Sequence, residues 1–115
     1  MNAVFEALAD PTRRAILERL RRDGPLSVSE VAGPLDMTRQ GATKHLDVLG
    51  AGGLVRVRRE GRRRMHELDA DPLREVEAWL APYAAEWDRR LERLVRHLES
   101  EGGEGETPLA GRTHD

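Results

Sequence analysis

The hydrophobic period of this chain changes twice, and each change limits what the next segment can become. Up to about Ala51 the apolar residues recur at helical spacing. Ile16, Leu17 and Leu20 form one group, Val28, Val31, Ala32 and Leu35 a second, and Ala42, Leu46 and Leu49 a third. Past Gly52-Gly53 the period drops to two. Leu54-Val55-Arg56-Val57-Arg58-Arg59 alternates like a strand, Glu60-Gly61-Arg62 reads as a turn, and Arg63 to Leu68 reads as the returning strand. From Leu73 the helical period resumes, with Leu73, Val76, Leu80, Tyr83, Trp87, Leu91, Leu94 and Leu98 at steps of three and four. A two-stranded hairpin is too small to stand alone in water and must pack on the helices. The expected fold class is mainly α with a small β-hairpin.

Local signals place the boundaries. A first helix runs from about Ala3 to Ala9, with Val4, Phe5 and Leu8 on one face. Asp10 suits an N-cap and Pro11 the first position of a second helix that reaches about Arg22 and ends at Gly24-Pro25. Ser27 and Glu30 have the spacing of a capping box, and Gly33-Pro34 shortens the third helix. Asp36-Met37 is a tight connection, and Thr38 caps a fourth helix. Asp71-Pro72 repeats the Asp10-Pro11 start, and Pro82 predicts a kink or a split in the long last helix. Residues 1–99 read as one domain. Residues 100–115 carry no apolar pattern and read as a disordered acidic tail.

Composition excludes several chemistries. With no cysteine there is no disulfide, thiolate metal site or iron–sulfur cluster. No apolar run approaches the ~20 residues of a membrane span. The expectation is a cytoplasmic protein without membrane contact. His45 and Asp47 are two apart on one helix and do not face each other, and the glycines end helices rather than form a phosphate loop. No enzyme and no cofactor are expected.

The formal net charge is −2, yet the charge is unevenly placed. Residues 39–66 hold eight Arg and Lys against two acids, while residues 99–115 hold five acids against one Arg. A local field of this kind marks a polyanion-binding module within a weakly acidic chain. On the fourth helix Arg39, Gln40, Thr43 and Lys44 lie opposite the Ala42, Leu46, Leu49 stripe, where they can donate to guanine or pair with adenine. The helix start, capped by Thr38, can accept a phosphate oxygen. Arg58, Arg59, Arg62, Arg63 and Arg64 crowd the hairpin tip. His45 and His66 have structural or phosphate-contact roles. Two short helices, a turn, a polar-faced helix and a basic hairpin make a winged helix-turn-helix, with double-stranded DNA as partner. The alternative is a winged helix used for protein contacts without specific DNA binding.

Three segments also resemble a known family. Ala9-Asp10-Pro11-Thr12-Arg13-Arg14-Ala15-Ile16-Leu17 looks like the second helix of the bacterial ArsR family of transcriptional repressors. Met37-Thr38-Arg39-Gln40-Gly41-Ala42-Thr43-Lys44-His45-Leu46, followed by Leu49 and Gly53-Leu54-Val55, is similar to its recognition helix and wing entry. Arg59-Glu60-Gly61-Arg62-Arg63-Arg64 resembles its wing tip, although His66 stands where many members have Tyr. The resemblance covers about residues 3–98 and implies a homodimer that binds a palindromic operator, usually as a repressor. The Cys-x-Cys motif of the metal-sensing branch is missing, and His97 with Glu101 supplies only two ligands. No metal site is expected. The signal that releases the protein from DNA, whether a small apolar ligand, a metal or none, is left open.

The Leu73–Leu98 stripe has two readings, an intramolecular core or a dimer interface. It is longer than one small helix-turn-helix core can cover, and Trp79, Tyr83 and Trp87 bring three of the four aromatic residues into it. The expected interface is therefore Leu73, Val76, Leu80, Tyr83, Trp87, Leu91, Leu94 and Leu98, with Val4, Phe5 and Leu8 of the first helix beside them.

Overall fold

Side chains set where the first helices begin. In the computed structural model, which describes residues 2–102, α1 spans Asn2–Leu8 and α2 spans Pro11–Asp23. Asp10 caps α2 as its type predicts: one carboxylate oxygen accepts the backbone N–H of Thr12 at 2.9 Å and of Arg13 at 3.1 Å. These bonds, chiefly that from Arg13, hold its carboxyl below the usual carboxylate range. Helix α3, Val28–Ala32, opens on the complete capping box: Ser27 Oγ accepts from the Glu30 N–H, and Glu30 Oε1 accepts from the Ser27 N–H at 2.8 Å. Its far end is tied down by Arg19, which donates to the Glu30 and Val31 carbonyls at 2.7 and 3.3 Å. Thr38 Oγ1 accepts the Gly41 N–H at 2.9 Å and starts α4, Arg39–Ala51.

Strands β1, Val55–Glu60, and β2, Arg63–Leu68, pair antiparallel from Val55↔Leu68 to Glu60↔Arg63. The two residues between them form the turn, and Gly61 takes φ +64°, a left-handed conformation that glycine adopts without strain. Helix α5 spans Leu73–Gly102 and contains Pro82, so the proline does not split it. Asp71 was expected to cap this helix. Instead Asp71 and Pro72 lie in a turn, and Asp69 supplies the carboxylate, accepting the Asp71 N–H at 3.1 Å. The described residues divide into two units between Trp79 and Leu80. The expected acidic tail lies, from residue 103 onward, outside the described residues.

The core sits in the first unit. Ile16 of α2, Val31 of α3, Leu49 of α4 and Leu54 at the entry to β1 are its largest fully enclosed side chains. Val4 and Ala7 of α1 join them at 5% and 0% exposure. The face expected on α1 therefore divides. Val4 is taken up by the chain's own core, whereas Phe5 and Leu8 are half-buried. Leu73 and Val76 also pack against this core. Helix α1 reaches the end of α4 because residue 52 has no side chain: a Cβ on Gly52 would stand 2.9 Å from the Ala3 carbonyl oxygen.

The hairpin is joined to the helices by one backbone exchange. Leu26, between α2 and α3, donates its N–H to the His66 carbonyl at 3.0 Å and accepts the His66 N–H at 2.8 Å. This bridge draws His66 into the interior, where it is 6% exposed with Nδ1 3.4 Å from the Leu26 carbonyl oxygen. Burial lowers the imidazole pKa below its ordinary value of 6.5.

Two measurements check this packing. Gly52→Ala should lower unfolding free energy by about 1–3 kcal/mol in urea melts, because backbone must move to admit the methyl. The folded state disfavours protonated His66, so its contribution is present above the unfolded pKa and is lost as pH falls below it. The unfolding midpoint should therefore drop between about pH 7 and pH 5, and His66→Gln should remove that part of the drop. Loss attributable to Asp10 and Glu30 should come at lower pH, within the carboxylate range.

Candidate nucleic-acid interface

Helix α4 buries one side and displays the other. Ala42, Leu46 and Leu49 are in the core, while Arg39, Gln40, Thr43 and Lys44 are exposed, as is the cap Thr38. This is the division of faces that a groove-reading helix needs, since its base contacts must come from side chains with no duty in the core. His45 lies between the two faces and is half-buried. Its Nδ1 is 3.4 Å from Arg13 Nη1, so Nδ1 is the acceptor, because a guanidinium has nothing to accept with. Arg13 also donates to the Ala7 and Glu6 carbonyls, both at 2.8 Å. The Arg13–His45 contact thus connects the end of α1 and the start of α2 to α4. Of the two expected roles for His45, the structural one has a partner within the fold. His66, 6% exposed on β2, is paired through its backbone with Leu26.

The hairpin arginines fall into two groups. Arg56 and Arg58 are set among acids: Arg56 is 3.8 Å from both Glu67 and Asp69, and Arg58 lies 2.9 Å from Glu60 and 3.2 Å from Glu67. Arg63 reaches off the hairpin to Glu30 at 3.1 Å. Arg59, Arg62 and Arg64, like Arg39 and Lys44 on α4, form no ion pair with any described residue. Moreover, Arg59 and Arg64 stand directly opposite each other across the strands. Like charges in that position destabilise a sheet. A groove runs between α4 and the hairpin, with Leu46, Val55 and Val57 among its apolar lining and Arg39, Arg62 and Arg64 among its cations.

Neither the Leu26–His66 bridge nor the Arg63–Glu30 pair was expected from the sequence. A one-residue bridge has no period to read. The only trace of the pair is the opposite sign of two residues far apart in sequence. Among the described residues no three metal-binding side chains converge, and the Glu101 side chain, half of the candidate ligand pair, lies outside them.

Comparison with known proteins agrees with this geometry. The helix-turn-helix domain family matches residues 8–58. The HTH-type transcriptional regulator Rv2034 of Mycobacterium tuberculosis is 41% identical over 98 residues, covering 85% of this chain and 88% of the relative. The crystal structure of the ArsR family transcriptional regulator RHA00566 superposes with a TM-score of 0.66 at 46% identity, over 76% of this chain and 89% of that one. The chain belongs to the ArsR family of transcriptional regulators. A further ArsR-like structure, the homodimeric winged helix-turn-helix DNA-binding domain Mb0332 from Mycobacterium bovis, is 32% identical with a TM-score of 0.59, over 74% of this chain and 78% of that one. Within this ArsR frame α3 and α4 are the helix-turn-helix and β1–β2 the wing. The protein is a DNA-binding regulator and not an enzyme.

Proposed function

We propose that two copies of this chain bind a palindromic operator in the cytoplasm and repress the adjacent gene, with α4 reading bases and the wing holding phosphates. The observation that carries the reading is the set of uncompensated cations on α4 and the wing, above all Arg59 facing Arg64. That arrangement costs stability in the free protein and is repaid only beside a polyanion. Gln40 and Arg39 reach base edges, together with Thr43 and Lys44. Arg59, Arg62 and Arg64 reach phosphates or the minor groove, and Thr38 places the helix start against the backbone. Resemblance to ArsR repressors supports repression as the outcome.

The pairing of two copies is assigned to α5. Trp87, Leu91 and Leu94 are 56%, 60% and 48% exposed, and Leu80, Tyr83 and Leu98 on the same stripe are exposed with them. Within the first unit Phe5 meets Trp79 edge-on, with centroids 5.7 Å apart. The homodimeric state of Mb0332 supports the same assembly here. Two α4 helices would then address half-sites about one helical turn, ~34 Å, apart.

Operator variants measured by fluorescence anisotropy test the division of labour. Gln40→Ala should flatten preference at one position of each half-site by about 1–3 kcal/mol. Arg64→Ala should weaken operator and random duplex alike and reduce the salt slope by about one per subunit. Uniform loss from both would overturn the assignment, and an absence of salt-dependent binding would return the protein-contact reading. Sedimentation tests the pairing: Leu91→Glu with Leu94→Glu should give monomer or unfolded chain, and a stable dimer would move the interface elsewhere.

A further inference from the structure

Glu30 has a place in the fold that the capping box alone does not explain. Its Oε1 accepts the Ser27 N–H at 2.8 Å and stands 3.1 Å from Arg63 Nη2 on the wing. The carboxylate is therefore held by α3, with its charge aimed at the wing. Its pKa is lowered, first by the Ser27 N–H and further by the Ser27 hydroxyl and Arg63, so it stays ionised at neutral pH. A glutamine at this position would complete the same capping box without the charge. Arg63 is the one cation among the three at residues 62–64 that has an ion-pair partner among the described residues. Its neighbours Arg62 and Arg64 line the groove beside α4 together with it.

We propose that Glu30 is a specificity-determining residue for DNA reading, because it occupies Arg63 in the way a DNA phosphate otherwise would. The inference rests on the DNA-binding role of the wing proposed above. An arginine bound to a fixed carboxylate adds no net charge to the wing and displaces no counterion when DNA arrives. On random DNA, where attraction to phosphates supplies essentially all affinity, the lost contact is felt in full. On the operator, base contacts from α4 hold the wing in one register, with Arg63 still on Glu30. A loosely seated complex has no such constraint, and a freed Arg63 can take whichever phosphate is nearest. Glu30 thus weakens sequence-independent binding more than operator binding. As an exposed pair it contributes little to fold stability, which leaves its charge available for this role.

The test uses the full chain and two labelled duplexes: one of random sequence and one selected by the wild-type protein from a randomised pool. Glu30→Gln, Arg63→Gln and the double variant are compared by anisotropy across a salt series. The expected result for Glu30→Gln is a several-fold gain on random duplex, a smaller gain on the selected duplex, and a salt slope on random duplex steeper by about one per subunit. Arg63→Gln should leave both slopes nearly unchanged while the Glu30 charge it unpairs modestly weakens both duplexes, and the double variant, with no net charge at the pair, should match wild type in affinity and slope. If Glu30→Gln folds less well than expected, the Arg63→Gln arm decides, since a loss of slope there makes Arg63 an ordinary phosphate contact and overturns the proposal. Equal gains on both duplexes, no gain, or a gain that survives in the double variant overturn it as well. These failures leave DNA binding intact. If wild type binds no duplex, the reading of the wing as a DNA contact fails and the proposal with it.

Discussion

Two strands joined by a tight turn bury too little to persist unaided, so the wing depends on its attachment to the helices. That attachment is the paired exchange of N–H and carbonyl between Leu26 and His66. It turns the connection between α2 and α3 into a third, one-residue strand. Leu26 is itself 8% exposed, so the bridge is anchored in the core and not on the surface. The Val57↔His66 pair then fixes the register of the strands that lead to the tip. The imidazole of His66 is drawn inside by the same constraint, which explains why a titratable residue is enclosed in a chain with ample apolar alternatives. The groove between α4 and the wing has its shape because this bridge holds one wall while Leu46 and Leu49 hold the other.

Capping side chains act as a second level of control. A five-residue helix such as α3 has no intrinsic stability to speak of, since nucleation costs more than one turn returns. Ser27 and Glu30 satisfy its leading donors, and Arg19 takes two carbonyls at its other end. What keeps α3 helical is therefore its own capping box, the Arg19 side chain of α2 and the burial of Val31 and Ala32. Arg13 does similar work beyond α1, whose last carbonyls it collects while touching His45 on α4. In a chain with 35% charged residues, arginine serves as a structural fastener as well as a DNA-facing cation, so a tally of positive charge overstates the surface available to a polyanion.

Local chemistry makes much of this legible in the sequence. Asp10, Ser27 with Glu30, and Thr38 each announce a helix start by residue type and spacing, because caps act over two to three residues. The turn at Gly61 and the inward stripe of α4 are equally local. What the sequence concealed is pairing at a distance. Nothing near Leu26 shows that it meets His66, or near Glu30 that it meets Arg63. Asp71-Pro72 looks like Asp10-Pro11 letter for letter, yet in the folded chain Asp69 accepts the Asp71 N–H, and the N–H groups of Leu73 and Arg74 go to the backbone carbonyls of Ala70 and Asp71. Val4 and Phe5 are adjacent apolar residues on one short helix, and only the approach of α1 to Gly52 decides that Val4 goes inside.

The charge pattern of the wing follows from the same competition. A strand whose outward residues are all arginine would repel itself, and the hairpin offsets this with Glu60, Glu67 and Asp69 beside Arg56 and Arg58. Compensation passes over Arg59 and Arg64, which face each other one pair before Glu60 and Arg63, and over Arg62 in the turn. The acids thus relieve repulsion around Arg56 and Arg58 and leave Arg59, Arg62 and Arg64 without an ion-pair partner among the described residues. Screening confines that field to about 8 Å at physiological ionic strength, so only charges near the contacting edge act on a phosphate. A weakly acidic protein can in this way present a strongly basic edge: its carboxylates neutralise the arginines that hold the wing together and leave those at its margin free.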